Sequence, residues 1–209
     1  QDSPYRSISS LKEGAILHVP TGVEVTKEQC FDLLAEKRIV YVGEAHTNLA
    51  HHQVELDIHQ AMESRHPGRM ALGMEMFGRS AQATLDQWVA GKLDEKTFLR
   101  EWYANWTADY AYYRPILEFA REKKIPVLAL NATDEQVRVL SEKGLEGLSE
   151  EIREGIPDLD PNDPYHRKAM EAVFGGHVPS HPSGGRDKKA FERFYQTMDW
   201  IIRGKNKDN

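Results

Sequence analysis

The sequence has little or none of what marks several large protein classes. Its single cysteine, Cys30, cannot form an internal disulfide, so the chain is not a disulfide-stapled domain. No stretch reaches the roughly eighteen consecutive apolar residues of a membrane-spanning helix, and no signal peptide is visible at the start. The formal net charge of −6 argues against a general binder of nucleic-acid phosphates.

Signatures of nucleotide and nucleophilic chemistry are also missing. No glycine-rich phosphate loop follows an apolar run, and no serine stands in a nucleophile elbow. Cys30 has no adjacent histidine in the sequence. The sequence therefore argues against nucleotide-dependent chemistry. Histidine, by contrast, is abundant, with nine in the chain and six of them between positions 18 and 66.

The length of 209 residues fits one domain, or one domain with an appendage. We expect an irregular lead-in over 1–25, a single α/β domain over 26–203 and a solvated tail over 204–209. Within the lead-in, Ile16–Val19 could form a short edge strand before a turn at Pro20–Gly22.

Three continuous apolar runs predict strands that are covered on both faces. They are Arg38–Gly43, Met70–Met74 and Pro126–Leu130. Helical patterns surround and separate them, which predicts a parallel sheet with helices on both faces. The predicted helices are Thr26–Glu36, Leu49–Arg65, Ala81–Ala90, Asp94–Asn105, Tyr112–Lys123, Asp134–Lys143 and a C-terminal amphipathic helix, Asp187–Arg203.

Each predicted strand is followed by polar side chains. Glu44 and His46 follow the first, Glu75 the second and Asn131 the third. Because ligands bind beyond the carboxyl ends of parallel strands, we expect these residues to line one crevice. Two carboxylates and an imidazole can bind a divalent metal or activate a water. Singly, each glutamate could instead cap a helix or pair with an arginine, and His46 could be a hydrogen-bonded loop residue.

Further histidines flank this crevice. His51 and His52 open the second predicted helix; His51 continues its apolar stripe, whereas His52 points away from it. We therefore expect His51 in the pocket and His52 beside it. His59 and His66 are expected to face solvent. His177 lies in a proline-rich loop that could close over the crevice. The stripe itself is Val54, Ile58, Ala61 and Met62.

One combination of segments resembles a known family. Together they are similar to the ChaN family, haem-binding bacterial lipoproteins within the Tiki/TraB and erythromycin-esterase-like superfamily. The segments are Gly43–His46, His51–His52, Gly73–Phe77, Trp106, Tyr113–Leu117 and Ile125–Asn131.

The resemblance implies an α/β fold, haem as ligand and a role in bacterial haem and iron uptake at the cell envelope. It implies haem held between two protomers, hence a homodimer, and membrane attachment only through an N-terminal lipid that is not visible in this chain. A tyrosine binds the iron in that family. Here Tyr5 and His18 are both possible axial ligands, and His51, His177 or Arg186 could pair with the propionates.

Two functions follow from these observations. The first is haem binding, which we favour because the resemblance is closest to the haem-binding branch. The alternative is a metal- or water-activating hydrolase acting on esters or peptides, because the residues matching Glu44, His46 and Glu75 form a hydrolytic site in related branches. A silent fold with a vestigial crevice is a third possibility.

Overall fold

The computed structural model describes residues 11–143, 147–150, 163–165 and 167–168. The chain forms two compact units. The first unit contains the chain up to Ala71 together with Ala108–Pro126, and the second contains Leu72–Thr107 and the chain from Val127 onward. The predicted loop around His177 and the predicted helix Asp187–Arg203 lie outside the described residues. The single domain expected over 26–203 stays a prediction.

The first unit begins with a β-hairpin. Strand β1, Ile16–His18, pairs antiparallel with β2, Val23–Val25, and His18 lies directly opposite Val23. The turn between them closes on the His18 carbonyl, which accepts hydrogen bonds from the Thr21 and Gly22 amides at 3.1 and 2.9 Å. Gly22 has a φ of 66°, which glycine adopts without strain. The sequence predicted the first strand and the turn but not β2.

Two helices follow in the first unit. Helix α1, Lys27–Ala35, begins with a capping box, in which Thr26 and Gln29 exchange side-chain and backbone hydrogen bonds. Helix α2, Leu49–Arg65, has the bounds predicted from the sequence and is capped by the Asn48 side chain. The two helices pack through Phe31, Ile58 and Ala61.

Helix α5 completes the first unit and packs against α2. It spans Tyr110–Lys123, and the Asp109 side chain caps it by accepting a hydrogen bond from the Ala111 amide. It ends at Lys124, whose left-handed φ of 58° is unusual for a side-chain-bearing residue. Its buried residues recur every three or four positions, as an amphipathic helix requires, and are Tyr110, Tyr113, Ile116, Leu117 and Ala120.

The second unit contains a parallel strand pair. Strands β3, Leu72–Gly78, and β4, Val127–Asn131, pair with Leu72 opposite Val127 and Met74 opposite Ala129. The Gln82 amide extends the pairing on β4, because its Nε2 donates to the Val127 carbonyl and its Oε1 accepts from the Ala129 amide, both at 2.9 Å. These strands confirm the predicted α/β class with a parallel sheet.

Helices α3, Gln82–Val89, and α4, Glu95–Asn105, pack on β4 and β3 respectively. A short 3-10 turn, Arg79–Ala81, precedes α3. Their core is aromatic: Trp88 stacks on Phe98 at 4.2 Å between ring centroids, and Trp102 meets Phe77 edge-on at 5.5 Å. These aromatic residues therefore serve packing between the helices and the strands of this unit.

The first predicted strand is wrong. In the described segment between α1 and α2, residues 38–43 form no strand. Tyr41 is 71% exposed and Ile39 42%, while Val42 packs against the core of α1 and α2. A continuous apolar run predicts a buried strand only if neighbours cover both of its faces, and here alternate residues face solvent.

The second predicted strand is displaced along the chain. Met70–Met74 was expected to stop before Glu75, but β3 continues to Gly78, so Glu75 lies inside the strand. Met76 and Phe77 are buried, and they extend the strand beyond the half-buried Glu75.

Helix α6, Asp134–Lys143, has its predicted bounds. No helix in the described part of the chain has the length and apolar character to cross a membrane.

Candidate functional site

A buried carboxylate lies at the centre of a polar cluster in the first unit. The Glu44 side chain is 5% exposed. Its Oε1 accepts a hydrogen bond from the Tyr113 hydroxyl at 2.8 Å and lies against Nδ1 of His46. Its Oε2 is buried and has no hydrogen-bond partner in the described structure. One oxygen is therefore held, and the other keeps its accepting capacity.

An imidazole borders that second oxygen. His52 is 4% exposed, and its Nε2 lies 3.9 Å from Glu44 Oε2 and 3.1 Å from the His46 carbonyl. Since a carbonyl can only accept, this contact is a hydrogen bond in the forms of the ring that carry a hydrogen on Nε2. On the other side of the ring, Nδ1 lies 3.1 Å from Glu55 Oε2. The Tyr113 ring meets His52 edge-on at 4.4 Å.

The cluster reaches solvent through His46. The side chain of His46 is 48% exposed, whereas Glu44 and His52 are almost fully buried. A carboxylate, an imidazole and a phenol within hydrogen-bonding reach can move a proton, and a carboxylate oxygen with open accepting capacity can bind a cation. The arrangement has the chemistry of a general acid–base site or of part of a metal site.

The orientations predicted for His51 and His52 are reversed. The inward stripe of α2 is His52, Glu55, Ile58 and Ala61, whereas Val54 is 53% exposed. The predicted stripe was right for Ile58 and Ala61 but counted the exposed Val54 as a core residue, which turned His51 inward in place of His52. His51 is exposed, and its Nδ1 accepts a hydrogen bond from the Ala45 amide at 2.9 Å.

Two histidines that were expected to face solvent are partly enclosed. Nδ1 of His59 is buried without a hydrogen-bond partner among the described residues, and burial lowers the pKa of this imidazole to about 4. His66 places Nε2 3.0 Å from the Ala35 carbonyl. Both side chains are therefore partly buried in the first unit and do not simply face solvent.

Two further predicted site residues, Glu75 and Asn131, lie in the second unit. Glu75 is half-buried within β3. Asn131 is the last residue of β4, and its Oδ1 accepts a hydrogen bond from the Ala132 amide at 2.9 Å. The convergence of Glu75 and Asn131 with Glu44 and His46 in one crevice stays a prediction. Tyr5, His177 and Arg186 lie outside the described residues.

His18, a predicted axial ligand, is half-buried at the end of β1. Its Nδ1 lies 2.7 Å from the Thr21 hydroxyl, which itself donates to the His18 carbonyl at 3.3 Å. Across the hairpin, Val23 is 56% exposed. Because directly paired residues of antiparallel strands share a face, the imidazole and this valine lie side by side.

A family model described as haem-binding uptake, Tiki superfamily, ChaN matches residues 30–199. The chain belongs to this family. The match begins inside α1 and continues past α6, so it includes parts of both units, whereas the β1–β2 hairpin lies outside it.

The chain is also similar to two individual proteins. A solved structure of cofacial haem binding to ChaN of Campylobacter jejuni matches with a TM-score of 0.67 over 89% of this chain and 71% of that chain. At 15% identity this likeness shows the fold alone. Protein RETICULATA-RELATED 5, chloroplastic, of Arabidopsis thaliana is 25% identical over 151 residues, which are 69% of this chain. The chain spans only 20% of the length of that relative.

Two residues of the Glu44 cluster, Glu55 and Tyr113, were not predicted as site residues from the sequence. Glu55 carried a usable signal, because it stands three positions from both His52 and Ile58 on a helix. Tyr113 carried none, since it joins Glu44 across 69 positions of sequence. Only the packing of α5 against α2 brings its hydroxyl to the carboxylate.

Proposed function

We propose that this chain binds haem. The observation that carries the proposal is the match of the haem-binding ChaN family to residues 30–199. In a haem-uptake protein the cofactor is cargo, so the task of the chain is to hold a flat, largely apolar ring and to release it. The chain must then supply an iron ligand and apolar side chains around it.

The hairpin of the first unit fits those needs. His18 supplies an imidazole, which is a competent axial ligand to haem iron. Ile16, Val23 and Val25 share its face of the hairpin, because they are its direct partner or stand two positions along a strand. An imidazole among aliphatic side chains is a suitable surface for a porphyrin. Tyr5 remains the second ligand proposed from the sequence.

The setting of this binding is part of the same proposal. We propose that the chain takes part in haem and iron uptake at a bacterial cell envelope, with haem held between two copies of the chain. A similar sequence also forms one fifth of a chloroplast protein, which is consistent with use of this type of domain in chloroplasts as well. A homodimer with haem at its interface would give each ring two protein walls.

Titration of the purified chain with ferric haemin tests the proposal. We expect a shifted Soret band that saturates at a fixed ratio of haem to chain, together with quenching of tryptophan fluorescence. Apomyoglobin added in excess should then withdraw the haem at a measurable rate. Spectra that equal the sum of free haemin and protein at every ratio would overturn the proposal.

A second candidate function is hydrolysis by water activation. The buried Glu44 carboxylate favours it, because Oε1 is fixed by Tyr113 while Oε2 has no hydrogen-bond partner in the described structure. We propose Glu44 as general base and His46, which reaches solvent, as its proton partner. The participation of Glu75, as an orienting group or with these two residues as a metal ligand, stays a prediction.

A screen against ester and peptide substrates tests this second candidate. The matched variants are Glu44→Gln, which keeps the shape of the side chain but removes its basicity, and Glu36→Gln, which makes the same change at an exposed glutamate outside the cluster. Turnover abolished by the first and kept by the second supports hydrolysis at Glu44. Turnover equal in all three proteins would place the chemistry elsewhere.

A further inference from the structure

We propose that His51 and His52 are positioning residues, which hold the backbone of the loop that carries Glu44 and His46. The inference rests on the second candidate function, hydrolysis at Glu44, and names the residues that orient its two acting side chains. Two adjacent histidines at the start of α2 thereby receive separate tasks. Neither task requires an imidazole to touch a substrate.

The two imidazoles hold the peptide groups that directly follow the acting residues. The peptide group after Glu44 is held by its N–H, because the Ala45 amide donates to Nδ1 of His51 at 2.9 Å. The peptide group after His46 is held by its carbonyl oxygen, which lies 3.1 Å from Nε2 of His52. The loop between the two acting side chains is therefore fixed to the beginning of one helix.

The two rings have opposite hydrogen-bonding roles. An amide N–H only donates, so the bond from Ala45 exists only while Nδ1 of His51 carries no hydrogen. A carbonyl only accepts, so a hydrogen bond to His46 requires a hydrogen on Nε2 of His52. One ring must therefore offer an acceptor at its δ position, and the other must offer a donor at its ε position.

Both rings are themselves held by the first turn of α2. The backbone amides of His51 and His52 donate at 3.0 and 3.3 Å to the carbonyl of Asn48, the residue that caps the helix. The Asn48 amide in turn donates to the Ala45 carbonyl at 2.7 Å. The His52 ring is buried, and its Nδ1 lies 3.1 Å from Glu55. A rigid element thus places both rings, as a precise site requires.

The acting side chains depend on this loop for their separation. Oε1 of Glu44 lies against Nδ1 of His46 and accepts a hydrogen bond from the Tyr113 hydroxyl at 2.8 Å. Only one residue separates Glu44 from His46 along the chain, so a rotation of the backbone there would move the two groups apart. Acid–base partners need fixed geometry, because a displacement of about 1 Å can reduce turnover about a hundredfold.

Substitution by asparagine or glutamine separates positioning from other roles of these rings. The side-chain oxygen of asparagine lies at the δ position and can replace Nδ1 as an acceptor. The amide nitrogen of glutamine lies at the ε position and can replace Nε2 as a donor. We therefore expect His51→Asn to keep the loop in place and His51→Gln to release it. At the next residue we expect the reverse, with His52→Gln close to the wild type and His52→Asn impaired.

Hydrogen exchange of the Ala45 amide, followed by NMR, tests the first bond without any substrate. The amide should exchange about fivefold faster in His51→Gln than in the wild type, which corresponds to the loss of a typical net hydrogen bond. In His51→Asn it should exchange at close to the wild-type rate. Because His51 is exposed, neither change disturbs the core. Equal exchange rates in the two variants would overturn the inference.

Turnover is the second readout. With an ester or peptide that the wild type cleaves, kcat should fall by about tenfold or more in His51→Gln and His52→Asn. It should stay within about twofold of the wild type in His51→Asn and His52→Gln. Loss of turnover in both variants of either residue would assign catalysis to the imidazole itself and overturn its positioning role. Full turnover in all four variants would overturn that role as well.

The outcomes separate this inference from the function on which it rests. A wild type that cleaves no ester or peptide overturns hydrolysis at Glu44 and with it the catalytic purpose of the two rings, while the exchange of the Ala45 amide still decides whether His51 holds the backbone. A wild type that cleaves substrate, with equal turnover in the asparagine and glutamine variants, overturns only the positioning role.

Discussion

Removal of the Tyr113 hydroxyl, a single oxygen atom, should clearly destabilise the first unit. The Tyr113 side chain is 1% exposed, and its hydroxyl donates to the buried Glu44 carboxylate at 2.8 Å. In Tyr113→Phe the carboxylate loses that donor and water has little access to replace it. Hydrogen bonds to charged groups contribute about 1.5–3 kcal/mol, so the free energy of unfolding should fall by that amount.

Urea denaturation followed by circular dichroism measures this loss. With a slope of about 2 kcal/mol per M urea, the midpoint should fall by about 1 M. The matched control is Tyr112→Phe, since the neighbouring hydroxyl has no hydrogen bond in the described structure and its ring contact with His52 survives the change. The control should change the free energy of unfolding by less than about 0.5 kcal/mol.

A double-mutant cycle identifies the partner of the hydroxyl. Once Glu44→Ala has removed the carboxylate, Tyr113→Phe should cost little, which gives a coupling energy of about 1–2 kcal/mol. Equal midpoints for Tyr113→Phe and Tyr112→Phe, or a coupling energy of zero, would refute the reasoning that the hydroxyl stabilises the buried carboxylate.

Three further predictions concern stability. Burial lowers the pKa of His59 from 6.5 to about 4, so between those pH values the unfolded chain binds more protons than the folded chain. The free energy of unfolding should therefore fall by up to about 3 kcal/mol as the pH drops through that window. Urea midpoints measured across this pH range should depend less on pH in His59→Gln than in the wild type, and an equal pH dependence in the two proteins would contradict the prediction. Trp102→Ala should lower the free energy of unfolding by about 3–5 kcal/mol. Tyr103 is 56% exposed, so Tyr103→Ala should lower it by less than about 1 kcal/mol. Similar thermal midpoints for the two variants would be inconsistent with the aromatic core of the second unit. Lys124→Gly should raise the free energy of unfolding by about 0.5–1 kcal/mol, because the left-handed φ of 58° at this position suits glycine. A lower free energy of unfolding in urea denaturation of this variant would argue against that backbone conformation.

Helix positions were the most predictable part of the fold. Local signals sufficed, because the caps at Thr26 and Asp94 and the apolar spacing of α2 and α5 are encoded within a few residues. The strands were less predictable. The run at 38–43 looks buried by composition, yet the neighbours that decide whether its faces are covered stand far away in sequence.

The candidate site was predictable in part. Glu44 was singled out from its place after an apolar run, and the structure surrounds it with polar groups. The roles of His51 and His52 were exchanged because one exposed valine, Val54, was counted into the helix stripe. Tyr113 was beyond sequence reasoning, since its bond to Glu44 depends on how α5 packs on α2.

Native mass spectrometry after incubation with haemin and gel filtration tests haem binding most directly. We expect the protein to carry the mass of intact haem at a fixed ratio per chain, and the dimer to be enriched in the haem-bound fraction. A protein that leaves the column at its bare mass, with the haem eluting separately, would contradict the account.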